Sequence, residues 1–210
     1  NLAGNQTVYK NYNISAAADI TDGSIANFEL NIFADKDIHS LENFYAFIGK
    51  PYILILDLDK NNNSAPVIQT TITELGLGTE YSTVFPDNFD DYTTVFLSMG
   101  VLWDNSKLTS NQGQTLTDFL DNGGNLYLEG GNAWDNNTPV HSKFNINNFS
   151  AGIDVQSVTG INQSLAQGMN FVYSGDKLYI EEIQAVEPAV SILQNQNSKS
   201  CAVAYDQGIY

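Results

Sequence analysis

The spacing of apolar positions changes near residue 50. Before it, short runs alternate with a period of two: Thr7-Val-Tyr-Lys-Asn-Tyr-Asn-Ile loosely, Ile25-Ala-Asn-Phe-Glu-Leu-Asn-Ile-Phe more clearly, then Asn43-Phe-Tyr-Ala-Phe-Ile. Such alternation marks half-buried strands. In the second run Phe28, Leu30 and Ile32 make the cleaner apolar face, opposite Ile25, Glu29, Asn31 and Phe33. Asp22-Gly23 is a turn signal. Three or four strands cannot bury both faces of a sandwich alone. Residues 1–49 therefore read as part of an immunoglobulin-like β-sandwich, or as a small β-subdomain docked on the rest of the chain.

After Gly49-Lys50-Pro51 the pattern becomes that of an α/β domain. Tyr52-Ile-Leu-Ile-Leu-Asp57 is a continuous apolar run, the mark of a strand covered on both faces. Val67, Ile68, Ile72 and Leu75 have helical spacing, stopped by Gly76 and Gly78. Tyr81-Ser-Thr-Val-Phe and Tyr92-Thr-Thr-Val-Phe-Leu-Ser-Met are strand candidates, the second ending at Gly100. Thr109 and Gln112 form a capping box; Leu116, Phe119 and Leu120 line the buried face of that helix, and Gly123-Gly124 supply its left-handed stop. Asn125-Leu-Tyr-Leu-Glu is the fourth strand. Residues 131–148 are polar and loop-like. Residues 153–160 and 171–180 predict short strands, and residues 189–193 and 200–205 two more joined by a polar turn. Strands alternating with helices predict a flavodoxin-like parallel sheet flanked by helices over residues 50–210.

Charge narrows the partners. The 210-residue chain has a net charge of −16, and its eight basic residues are all lysines. Arginine is the preferred fork for phosphate, so this composition argues against nucleic acid and anionic membranes. Cations are the natural complement. Charged residues make up only 15% of the chain, and Asn, Ser, Thr and Gly fill its polar positions. That balance suits a secreted or cell-surface protein. No run approaches the roughly 20 apolar residues of a membrane helix, which predicts no membrane insertion.

The series Pro51-Tyr-Ile-Leu-Ile-Leu-Asp-Leu-Asp, Asp91-Tyr-Thr-Thr-Val-Phe-Leu-Ser-Met-Gly, Leu108-Thr-Ser-Asn-Gln and Leu116-Thr-Asp-Phe-Leu-Asp-Asn-Gly-Gly-Asn-Leu-Tyr-Leu-Glu-Gly-Gly resembles class I glutamine amidotransferase-like domains. The likeness is to flavodoxin-like domains embedded in large secreted proteins of Bacteroidetes type, often beside peptidase or immunoglobulin-like modules. The ending Cys201-Ala-Val-Ala-Tyr-Asp-Gln-Gly-Ile-Tyr is similar to that family too. There a further strand usually comes next, so the resemblance implies that domain 50–210 is truncated at its carboxyl end. Active members carry a cysteine on a sharp turn, within Gly-x-Cys-x-Gly, with a histidine and a glutamate further on. The matching turn here is Leu128-Glu129-Gly130-Gly131-Asn132, with no cysteine or serine.

Glu129 is the sharpest catalytic candidate, as a general base or cation ligand at a strand end; the plainer expectation is that it accepts neighbouring backbone amides. Cys201, the single cysteine, reads as buried and structural; His141 reads as an exposed loop residue, and Tyr52 and Tyr127 as core. Asp57, Asp59 and Asn61 place oxygens at alternate positions, like the first half of a calcium loop. Asn62 stands where that loop has glycine, and Ile68 where it has its bidentate glutamate. Calcium is the candidate cation, and no other cofactor is expected. Trp103 and Trp134, with Asn132, are candidates for stacking on a sugar. The expected function is a non-catalytic accessory or binding module of a secreted multidomain protein, contacting an extracellular partner, a glycan or a neighbouring domain. The alternative is a hydrolase with carboxylate or metal-assisted chemistry at Glu129 with Asp57 or Asp59.

Overall fold

A computed structural model of the chain describes residues 9, 11–20, 23–34, 38–101, 105–131, 133–134, 137–152, 155–161, 164–175, 180–206 and 208. The amino-terminal part contains β1 (Ser24–Ala34) and β2 (Ile38–Ile48), one antiparallel ribbon. Phe28 pairs with Phe44, and the two rings stack with centroids 5.2 Å apart. Leu30 and Ile32 lie on the same face by alternation, and both are exposed. Among the described residues no second sheet covers this ribbon.

The next section is the predicted parallel sheet. β3 (Ile53–Asp57), β4 (Thr79–Ser82), β5 (Thr94–Ser98) and β6 (Asn125–Glu129) lie in the order β4-β3-β5-β6, all parallel. This is the order of a doubly wound, flavodoxin-like sheet, whose direction of progression reverses between β3 and β5. Strand period two sorts the side chains. Leu54, Leu56, Val95 and Leu97 face the larger core with Phe89, Leu108, Leu116, Phe119 and Val140. Ile55 faces the smaller cluster with Ala65 and Ile72, flanked by Ile53, Tyr81 and Phe96. Helix α1 (Ala65–Glu74) supplies the smaller cover and α2 (Ser110–Asp121) the larger. No helix among the described residues is long and apolar enough to cross a membrane.

The capping box at Thr109 and Gln112 is formed as predicted, and Gly123 adopts φ 88°, the left-handed stop. Elsewhere the pattern needs correction. The run placed at 81–85 is shorter and starts earlier, as β4. Residues 131–148 are not all loop: Pro139–Phe144 form a 3-10 helix that begins at Thr138 and leads into β7 (Ile146–Gly152). β8 (Ser157–Gly160), β9 (Asn170–Val172), β11 (Val190–Asn195) and β12 (Ser200–Ala204) build a separate antiparallel sheet in the order β12-β11-β8-β9, and β10 (Ile180–Ala185) pairs with β7. The amide of Glu181 donates to the carbonyl of Gly131 at 3.0 Å, tying β10 to the turn after β6.

Close packing around the α2 stop yields a stability prediction. A Cβ at Gly124 would lie 2.3 Å from Phe119 Cζ, and that ring is itself packed against Phe89 with centroids 5.4 Å apart. Gly124→Ala should therefore destabilise the chain by about 1–3 kcal/mol, the cost of overpacking a core. Urea unfolding checks this; a loss below about 0.5 kcal/mol would mean that the Phe119 ring yields freely.

Candidate functional site

Strand register brings three polar residues into one row. Asp57 ends β3, Ser98 ends β5 and Glu129 ends β6, and they pair Asp57 with Ser98 and Ser98 with Glu129. Side chains in register on parallel strands point to the same face, so the row forms at the carboxyl ends of the strands. That edge, at the reversal between β3 and β5, is where open α/β sheets bind ligands.

The acceptors of Glu129 are engaged by hydroxyls among the described residues, where one expectation had backbone amides. Its Oε1 accepts the hydroxyls of Ser98, at 2.6 Å, and of Ser64; its Oε2 accepts the Tyr127 hydroxyl at 2.9 Å. Ser64 stands at the cap position of α1, yet its hydroxyl makes no cap bond. A serine cap contributes about 1 kcal/mol, and here that contact is given up for the carboxylate. Ser98 is only 1% exposed, so its hydroxyl needs a partner and finds Glu129. Three hydroxyls thus converge on one carboxylate. Tyr127 is not core: 46% of it is exposed. Burial, then the charge and bond of Glu129, raise its phenol pKa; with so much of the residue in solvent, the Glu129 contact is the firmer cause. Tyr52 is exposed as well.

The calcium-like run is a staircase of side-chain turns. Asp57 Oδ1 accepts the amide of Asp59, Asp59 Oδ1 that of Asn61, and Asn61 Oδ1 that of Asn63, each at 3.0 Å. Asn62 takes φ 52°, the left-handed conformation that glycine supplies in a calcium loop. Asp57 is buried and also accepts the Tyr81 hydroxyl; burial and that bond push the Tyr81 phenol up to about 12. Asp59 is buried against Gly100, which has φ 76° and where a Cβ would lie 2.5 Å from Asp59 Oδ1. Among the described residues no group of three or more His, Cys, Asp or Glu is placed to hold a metal ion.

Asp59, Ser64, Gly100 and Glu129 form one side of a cleft of about 410 Å³. Val155, Val158, Tyr173 and Cys201 line it from the antiparallel sheet and its approaches. Cys201 is thus half-buried in the wall of the cleft rather than sealed in a core. Burial, then the charge of Glu182, raise its thiol pKa, which keeps it protonated and a poor nucleophile.

Trp103 and Asn132 lie outside the described residues. Trp134 is no open stacking platform: it packs on His141 and Phe144, with centroids 5.1 and 5.5 Å away, beside the larger core. His141 is buried, not exposed. Its Nδ1 accepts the Thr138 amide at 2.8 Å and its Nε2 donates to the Ala133 carbonyl at 2.8 Å, so both nitrogens are spent on the chain's own backbone. Sequence reasoning missed Ser64 and Ser98 altogether and placed Tyr127 in the core. It could have found His141, since Thr138 stands three residues before it, the spacing of a capping box.

Burial pushes the His141 imidazole below its ordinary 6.5, against the smaller opposing effect of its backbone bonds. The unfolded chain then takes up a proton that the folded chain refuses, so stability falls as pH drops from above 6.5 toward the lowered folded value. His141→Gln should lower stability overall and flatten the pH dependence of Tm between about pH 7 and pH 5. Equal slopes for the two proteins would refute the buried neutral imidazole.

No family model matches the chain, and no curated protein matches it. Among solved structures, that of a candidate GMP synthase subunit from Thermoplasma acidophilum is similar, with a TM-score of 0.50 and 11% identity over 74% of this chain and 78% of that one. At that identity the likeness speaks for the fold alone, an α/β fold with a parallel sheet.

Proposed function

We propose that the chain is a non-catalytic accessory module of a secreted or cell-surface multidomain protein, of the Bacteroidetes type that its sequence resembles, and that it binds a ligand or partner in the cleft at the strand ends. One observation carries this reading. The turn that would present a nucleophile offers Glu129, held by three neutral hydroxyls. The β1–β2 ribbon, whose apolar face no second sheet among the described residues covers, fits the edge of an immunoglobulin-like neighbour. A second reading, a hydrolase, has one support: the Ser64 hydroxyl donates to Glu129 while lining the same cleft.

Glutaminase and ester-hydrolysis assays, run with a fluorophosphonate probe, separate the two. The expected outcome is no turnover above buffer and no adduct at Ser64. Turnover that falls about a hundredfold in Glu129→Gln, equivalent to roughly 2.7 kcal/mol, would overturn the non-catalytic reading.

Calcium at Asp57, Asp59 and Asn61 is supported by the left-handed Asn62. If the loop binds it, about 10 mM calcium raises Tm, because a ligand of the native state alone must stabilise it. The rise disappears in Asp59→Asn. An unchanged Tm removes calcium from the reading.

A further inference from the structure

We propose that the strand-end cleft receives an aliphatic primary ammonium group, the chemistry of a lysine side chain or of a free alkyl amine; this rests on the binding reading above. The cleft has two unlike walls. One carries Asp59 and Glu129, the only charged residues among the described residues of its lining. The other presents Val155, Val158 and the body of Tyr173, with Cys201 beside them. An alkylammonium has the same division, a cationic head on an apolar stem.

Charge decides among ligand classes. The hydroxyls of Ser64, Ser98 and Tyr127 occupy three of the roughly four lone-pair sites of the Glu129 carboxylate and neutralise none of its charge. No ion pair in the described residues involves Glu129: Lys50 pairs with Glu80 and Asp91, Lys143 with Asp121, and Lys199 with Glu182. Lys60, beside Asp59 in sequence, is exposed and outside the lining. An anionic ligand would meet two carboxylates on a chain of net charge −16. A neutral sugar would cover Glu129 without compensating it. A cationic head placed beside Glu129 offsets its charge, with Asp59 in the same wall, while its stem covers the valine wall. The volume of about 410 Å³ leaves room for the stem and part of an attached backbone.

Cys201 reports occupancy directly, because it is the only cysteine of the chain and lines this cleft. The experiment follows its alkylation rate by N-ethylmaleimide in the presence of cadaverine, of the peptide acetyl-Gly-Lys-Gly-amide, of glucose and of calcium chloride. Cadaverine is expected to slow alkylation at least about threefold and to lose affinity as salt shortens the Debye length. Stronger protection by the peptide points to a lysine side chain as the source, and equal protection to a free amine. Glu129→Gln and Asp59→Asn keep hydrogen-bond acceptors and remove charge; each should weaken amine protection about tenfold. If Glu129→Gln fails to fold, Asp59→Asn and the salt dependence still decide. Protection by glucose alone overturns the ammonium assignment and leaves the binding reading intact. Protection by calcium alone reassigns the cleft to a metal ion. If no solute slows alkylation, both readings fall.

Discussion

Glu129 pins three elements at once: the end of β6 on which it sits, the end of β5 through Ser98, and the start of α1 through Ser64. The requirement behind this is that a polar group taken from water must be hydrogen-bonded. Ser98 is buried because β5 lies in the middle of the sheet, and its hydroxyl has to be satisfied from an adjacent strand. Glu129 is the residue opposite it in register. Ser64 then leaves its own helix uncapped to reach the same oxygen. A local preference is set aside here for a contact between distant parts of the chain.

The same register divides apolar from polar along each strand. One step before the polar row, Leu56, Leu97 and Leu128 face the larger core; two steps before it, Ile55, Phe96 and Tyr127 face the α1 side. The α1 cluster gathers residues of β3, β4 and β5, and β6 lies beyond it. Tyr127 therefore has an apolar neighbour in Phe96, with centroids 5.6 Å apart, and an open outer side. That places its hydroxyl within reach of Glu129 and gives the edge strand a share in the site.

Local features were legible in the chain, and contacts made by register were not. The α2 capping box and its glycine stop depend on residues a few positions apart, so spacing alone identifies them. The β3 run and the switch from alternating to continuous apolar patterning follow from strand geometry in the same way. The Ser64–Glu129 and Ser98–Glu129 contacts join residues 65 and 31 positions apart, and no spacing rule reaches that far. The run from Asp57 to Asn63 is intermediate. Its alternating oxygens were plain, but the same spacing serves a cation or a staircase of amide acceptors, and only backbone geometry shows that the amides are engaged. His141 looked like a loop residue because its burial comes from contacts that spacing does not show: the Trp134 ring packs on it, and Phe144 packs in turn on Trp134.

Electrostatics sets the state of the thiol and the imidazole near the crevice. A cysteine nucleophile needs a positive environment to hold its thiolate. Here the one cysteine enters the cleft from the opposite sheet, beside Glu182, and both burial and that charge keep it protonated. The one buried histidine is turned away onto the backbone of Thr138 and Ala133. Glu129 accepts three hydroxyls. The thiol is thus held as the protonated acid, and both imidazole nitrogens are engaged by backbone. Among the described residues the charge of Glu129 has no ion pair, and that is the observation on which the proposed cationic ligand rests.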